Sequence, residues 1–184
     1  MAPDAPIEPD DFDRSDLEHL LKDSPLLAGM ELRVRDAIAH RFQGVVFDSG
    51  DRIIKAGGHE RKLGILLTGT ATVLARKGGK ELPVATLAPG DLFGEIAFFD
   101  AKASRSADVV GAAPGVAGLL DYRTYMELAD GGNPAAEVLE KNVLDILGQR
   151  MHNTNDRLSE LLESSREGGL RGALRRLFGM SRNG

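Results

Sequence analysis

The sequence predicts a mainly β protein with flanking helices: a jelly-roll-like β-roll followed by one long C-terminal dimerisation helix. Three observations predict it. Between residues 45 and 120, short runs rich in Val, Ile, Leu and Thr recur at close spacing and are separated by glycine turns, the signature of a sandwich or barrel. On either side of that region the apolar period changes to that of a helix. Near the C-terminus, Leu144, Leu147, Met151, Thr154, Leu158 and Leu161 alternate spacings of three and four, an a/d seam along which two helices wind around each other.

Taken in order, residues 1–14 carry Asp4, Glu8, Asp10, Asp11 and Asp13 together with Pro3, Pro6 and Pro9, and read as a disordered acidic segment. Ser15 is placed to cap a short helix through Leu17, Leu20 and Leu21, which Pro25 ends. Leu26, Leu27, Met30, Leu32, Val34, Ala37 and Ile38 mark a second helical stretch. The β-type runs then fall at 45–47, 52–54, 63–67, 71–75, 82–87, 107–110 and 116–120, with Gly78-Gly79 as a hairpin turn. Helical periodicity returns at 121–128 and breaks at Gly131-Gly132. Asn133-Pro134 then supplies a cap followed by proline at the first helical position, which opens the long helix. Four segments result: 1–14 acidic, 15–131 the β-roll with its helices, 132–165 the dimerisation helix, and 166–184 a basic tail.

Composition narrows the function classes. A net charge of −5 disfavours nucleic acid as a partner, so DNA binding is not expected. With no cysteine there is neither a disulfide framework nor a thiolate metal site. No signal peptide or apolar run of spanning length is present, so a cytoplasmic location is expected. His19, His40, His59 and His152 lack ligand spacing, so no metal is expected. Glu95 with Asp91 or Asp100 has no general acid or metal beside it, and Gly78-Gly79-Lys80 lacks the context of a phosphate loop, so no enzyme is expected.

The residues that carry chemistry are Phe93-Gly94-Glu95-Ile96-Ala97 and, ten positions after the glutamate, Arg105-Ser106-Ala107. Glu95 is an acceptor suited to a ribose hydroxyl. Gly94 lets backbone approach a ligand with no Cβ in the way. Arg105 is a permanent forked cation that can take two phosphate oxygens, and Ser106 adds a hydroxyl and an amide. An acid and a base set among Phe93, Ile96, Phe98, Phe99, Val109 and Val110 need partners, and a cyclic nucleotide supplies both.

From about Leu17 to Leu162 the chain resembles the cyclic-nucleotide-binding domain family of the catabolite-activator type, though without a DNA-binding domain. The resemblance rests on F-G-E-[LI]-A followed by R-[SAT]-A, and on Val45-Val46-Phe47-Asp48-Ser49-Gly50-Asp51, which matches the family's V-x-F-x-x-G-[DE] hairpin. Gly57-Gly58, Gly69 and Pro89-Gly90-Asp91 fall where that β-roll turns its corners. Lys102-Ala103-Ser104 departs from it in lacking the proline many members place before the arginine. The resemblance implies that Phe93, Gly94, Glu95, Ile96, Ala97, Arg105, Ser106 and Ala107 form a phosphate-binding cassette. Glu95 would meet the ribose 2′-hydroxyl, the Gly94 amide, Arg105 and Ser106 the cyclic phosphate. It further implies that Thr154 and Asn155 read the base, with Met151 packed on the purine.

The function these readings imply is a stand-alone, homodimeric cyclic-nucleotide sensor, with cAMP preferred and cGMP as the other regulatory ligand, that signals to a separate partner protein. The tail is the candidate output. Leu170, Ala173, Leu174, Leu177 and Phe178 share a helical face after a flexible Gly168-Gly169, and Arg171, Arg175, Arg176 and Arg182 lie off it. A helix of this kind docks in a partner groove at 170–178 or, more weakly, lies on an anionic membrane surface. Two alternatives stay open: a dimeric scaffold that keeps the fold without a ligand, and a cyclic-dinucleotide receptor.

Overall fold

The computed structural model describes residues 13–178, with only the backbone at Lys77, at 157–158 and at 160–178. The expected disorder of 1–14 therefore lies outside the described residues, except at its last two positions. The chain divides into two compact units, 1–146 and 147–184.

The first unit opens with α1 (Arg14–Lys22). Its cap is Asp13 rather than Ser15: the Asp13 carboxylate accepts from the Ser15 and Asp16 amides at 2.7 and 3.0 Å, while Asp16 accepts from the Asp13 amide at 3.1 Å. A carboxylate satisfies two orphan amides of the first turn and complements the helix dipole, and Asp16 at the third helical position closes a reciprocal capping box with it. The helix stops at Lys22, before Pro25, and Pro25 instead opens a 3₁₀ turn (Pro25–Leu27) that precedes α2 (Leu32–Ala39). Leu17, Leu21, Leu26, Leu27 and Ile38 are buried. Leu21 and Phe42 lie against the sheet, because a Cβ on Gly118 of β6 would meet them at 3.1 and 3.3 Å.

The sheet comprises β1 (Gln43–Phe47), β2 (Arg52–Ile54), β3 (Lys62–Lys77), β4 (Lys80–Leu87), β5 (Leu92–Phe93) and β6 (Ala107–Asp121). All pairings are antiparallel, in the order β1-β6-β3-β4, with β2 on β6 and β5 on β3. The runs expected at 63–67 and 71–75 are one strand, as are those at 107–110 and 116–120. Each bends where glycine allows it. Gly69 has φ +75°, and a Cβ there would run into the Pro114 carbonyl, so the two long strands cross the corner of the roll at backbone contact. The register shifts between Leu66 and Ala71 carry that bend. Phe47, Leu66, Leu87, Phe93, Val109 and Leu119 belong to the core inside the roll.

Between β5 and β6 lies a single turn and a half, α3 (Glu95–Phe99), and after β6 come α4 (Tyr122–Asp130) and α5 (Pro134–Phe178). The Asp121 carboxylate caps α4 through the Arg123 amide, and the Asn133 side chain caps α5 through the Ala135 amide at 3.0 Å, the terminus expected there. The buried Asn142 side chain donates to the carbonyls of Leu26 and Ala28 at 2.9 and 2.8 Å, tying the start of α5 to the 3₁₀ turn. Tyr125 donates to Glu140 across α4 and α5.

In the second unit α5 continues through Phe178 with no break at Gly168-Gly169, where a flexible joint was expected. Glycine weakens an isolated helix by only about 1 kcal/mol per residue, less than a continuous helix can absorb. Thr154 and Ser159 donate back to the carbonyls of Arg150 and Asn155 at 2.8 and 3.0 Å. The side chains of Leu158, Leu161 and of the tail residues 170–178 lie outside the described residues, as do Arg182 and the rest of 179–184. Among the described residues no helix is long and apolar enough to cross a membrane.

Candidate ligand-binding site

The site is built where β5 passes into α3. Phe93 is buried and pairs with Gly64 of β3, where a Cβ would enter the phenyl ring. The chain then turns sharply at Gly94, whose φ of +77° makes it a left-handed cap for α3. Only glycine fits, on two counts. A side chain is strained at that angle, and its Cβ would strike the Arg105 guanidinium and sit 2.8 Å from the Lys62 carbonyl. Glu95 and Ala97 follow on α3, half-buried and buried, while Ile96 is exposed.

Arg105 comes from the segment before β6 and is 6% exposed. Its guanidinium donates from Nη1 to the Gly94 carbonyl at 3.1 Å and from Nη2 to the Lys62 carbonyl at 2.8 Å. Its backbone is clasped by the β2–β3 loop: the Gly57 amide donates to the Arg105 carbonyl at 2.8 Å and the Arg105 amide to the Gly58 carbonyl at 3.0 Å. Among the described residues two of the five guanidinium donors are thereby used, which leaves three for a ligand. Burial lowers the Arg105 pKa, and the charges of Glu60 and Glu95 oppose that shift. The side chain stays cationic, a desolvated charge with carboxylates nearby but no ion pair among the described residues.

Beside Arg105 opens a cleft of about 350 Å³, lined among others by Arg52, Lys55, Gly58, Glu60 and Lys62. That volume is at the lower end of the range for small-molecule sites. A second arginine fixes the other end of α3. Arg61 donates from Nε and Nη2 to the Phe98 carbonyl at 3.0 and 2.6 Å, and its guanidinium lies 3.2 Å from the centre of the Tyr122 ring. The short helix is held at both ends by cations, on Gly94 and on Phe98.

Of the residues the sequence singled out, the structure puts the Arg105 guanidinium against Gly94, with the charge of Glu95 acting on it, while Phe93 packs in the core of the roll. Ser106 is exposed at the mouth of β6, and Ala107 begins that strand. Met151, Thr154 and Asn155 belong to the second unit, where all three are exposed and the Thr154 hydroxyl is engaged with its own helix. Sequence reasoning missed the cleft-lining Arg52, Lys55, Glu60 and Lys62, and the clasp made by Gly57 and Gly58. The paired glycines were the one local signal for the clasp; the charged residues gave none, because scattered surface charges look alike in a sequence.

Comparison with known proteins agrees with this geometry. The cyclic nucleotide-binding domain family matches residues 45–131. The chain is 30% identical over 130 residues to the cAMP-dependent protein kinase regulatory subunit of Schizosaccharomyces pombe, covering 71% of this chain and 28% of that protein. It is 28% identical over 125 residues to the same subunit of Mucor circinelloides, covering 68% of this chain and 28% of that one. The chain thus spans little more than a quarter of these curated relatives. Among solved structures, the Thermus thermophilus catabolite activator protein superposes with a TM-score of 0.60 at 26% identity, over 75% of this chain and 63% of that one. A cyclic nucleotide-binding domain from Methylobacillus flagellatus superposes at 0.67 over 78% and 81%, with an identity of 17% that shows the fold alone. With a β-roll, a glycine-capped cassette helix and a buried arginine beneath it, residues 45–131 match the cyclic nucleotide-binding domain family in sequence and in fold.

Proposed function

We propose that this protein is a regulatory sensor that binds a purine cyclic mononucleotide, cAMP in preference to cGMP, and passes the occupied state on through α5 to a partner protein. The observation that carries the reading is Arg105: a buried guanidinium with three donors unused among the described residues, at the edge of a cleft of about 350 Å³, in the electrostatic company of Glu95. A cyclic phosphate answers the cation and a ribose hydroxyl answers the carboxylate, so one ligand satisfies both. The preference for cAMP draws on the cAMP-dependent kinase subunits among the relatives. The cleft is assigned a binding role and no chemical step.

Ligand switches such a protein only by binding one conformation more tightly than another. Engaging the phosphate would draw Arg105 from the Gly94 and Lys62 carbonyls or share it with them, which alters the hold on α3. The resemblance of residues 152–158 to the family's base-reading run assigns Thr154 and Asn155 to the base, with Met151 against it. Exposed Leu144 and Met151 favour a homodimer along α5.

The deciding experiment is calorimetric titration with cAMP, cGMP and a cyclic di-purine nucleotide, using Arg105→Lys as the partner variant. Lysine keeps the charge and loses the fork, so affinity should fall by roughly tenfold to a hundredfold. Binding of none of the three would support the scaffold reading, and binding of the dinucleotide alone would support the third.

A further inference from the structure

Three residues beyond Arg105 a second buried charge serves the same cleft from behind. Asp108 stands on β6 with no solvent exposure. Its Oδ1 accepts from the Ala56 amide at 2.8 Å. Two guanidiniums face the carboxylate: Arg76 Nη2 lies 3.3 Å from Oδ2, without the alignment of a hydrogen bond, and Arg52 Nε lies 3.8 Å from Oδ1. Glu81 completes the group, 2.9 Å from Arg52 and 3.5 Å from Arg76. Two cations and two anions therefore balance, with one carboxylate fully desolvated.

A β-strand has no need of this. An aliphatic side chain at position 108 would bury without the desolvation penalty of a carboxylate and without an under-satisfied Oδ2. What the carboxylate does gain is a grip on the cleft wall. Ala56 precedes Gly57 and Gly58, the two residues that clasp the Arg105 backbone. Arg52, Lys55 and Gly58 line the cleft together with Arg105. Asp108 thus holds that wall at two points, the Ala56 amide and the Arg52 guanidinium, from the strand that Arg105 itself leads into.

We propose that Asp108 is a positioning residue of the cleft: by holding Ala56 and Arg52 it sets the wall 52–58 against Arg105, and so sets the affinity for the nucleotide. The affinity part rests on the function proposed above; the hold on the wall does not. Asn at this position keeps the shape of the side chain but not its charge, so its oxygen holds the Ala56 amide more weakly and both arginines are released.

The test titrates cAMP into wild type, Asp108→Asn, Arg52→Met and the double variant, and follows amide hydrogen exchange at 56–58 without ligand. Each single variant should weaken binding by roughly three- to thirtyfold, and the double should be no weaker than the worse single, since both cut the same link. Exchange at Ala56 should quicken by roughly tenfold or more in Asp108→Asn. A folded Asp108→Asn with wild-type affinity, or losses that multiply in the double, would overturn the proposal. Should Asp108→Asn not fold, unchanged affinity in Arg52→Met, whose side chain is 39% exposed, overturns it as well. If wild type binds no cyclic nucleotide, the proposed function fails, and exchange still decides the wall: faster exchange sustains the hold, unchanged exchange ends it.

Discussion

At Gly94 two constraints meet in one residue, a left-handed backbone and a guanidinium where a side chain would begin. Gly94→Ala should therefore cost about 1–3 kcal/mol of stability and displace Arg105, lowering ligand affinity along with the melting temperature. Thermal unfolding and titration on the same preparation would check both. Asp108 makes a pH prediction. Burial alone would push its carboxyl up, but the Ala56 amide and the charges of Arg52 and Arg76 outweigh it and hold the folded value below the ordinary one. A group depressed on folding adds stability that is complete above its unfolded pKa, about 4, and is lost as pH falls through the lower folded value. Urea unfolding between about pH 6 and pH 2 should show wild type losing more stability than Asp108→Asn in the acid limb. The contact of Gly94 with Arg105 was legible because the two lie only eleven residues apart in the chain. Asp108 was not, since its partners come from β2, β3 and the loop between them.

Elements show a different balance. The starts of α4 and α5 were readable because caps are local chemistry: Asp121 and Asn133 bond amides two residues away. The ends of β3 and β6 were not. Gly69 and Gly115 look like turns in a sequence, and only the partner strand at the same corner shows that they are bends within continuous strands. β5 and α3 were missed because two residues and five are too few to display a period. The 3₁₀ turn depends on α5 through Asn142, over a separation of 116 residues. Asn142→Ala leaves two carbonyls, Leu26 and Ala28, without their donor and should cost about 1–3 kcal/mol in urea unfolding, with no direct loss of a ligand contact.

For the molecule as a whole, sensing and assembly can be separated. Leu144 and Met151 are 69% and 68% exposed on α5, positions on the a/d seam where a second copy would cover them. Sedimentation should show a concentration-dependent dimer, and Leu144→Glu with Met151→Glu should shift it to monomer at the same loading. Ligand should also stabilise by mass action: cAMP at about a hundred times its Kd adds roughly 2.7 kcal/mol, raising the melting temperature in a dose-dependent way that Arg105→Lys displaces to higher concentration.

The sequence by itself determined the β-roll with flanking helices, the cassette and its arginine, and the start of the long helix, because each is written in residues within a turn or two of one another. Only the tertiary structure decided what surrounds Arg105: the Lys62 carbonyl, the Gly57-Gly58 clasp, and Asp108 holding Arg52 and Ala56 behind them. Those partners are brought together by strand pairing across tens of residues, and a charge acquires its role from what desolvates and neutralises it in space, which spacing along a chain does not encode.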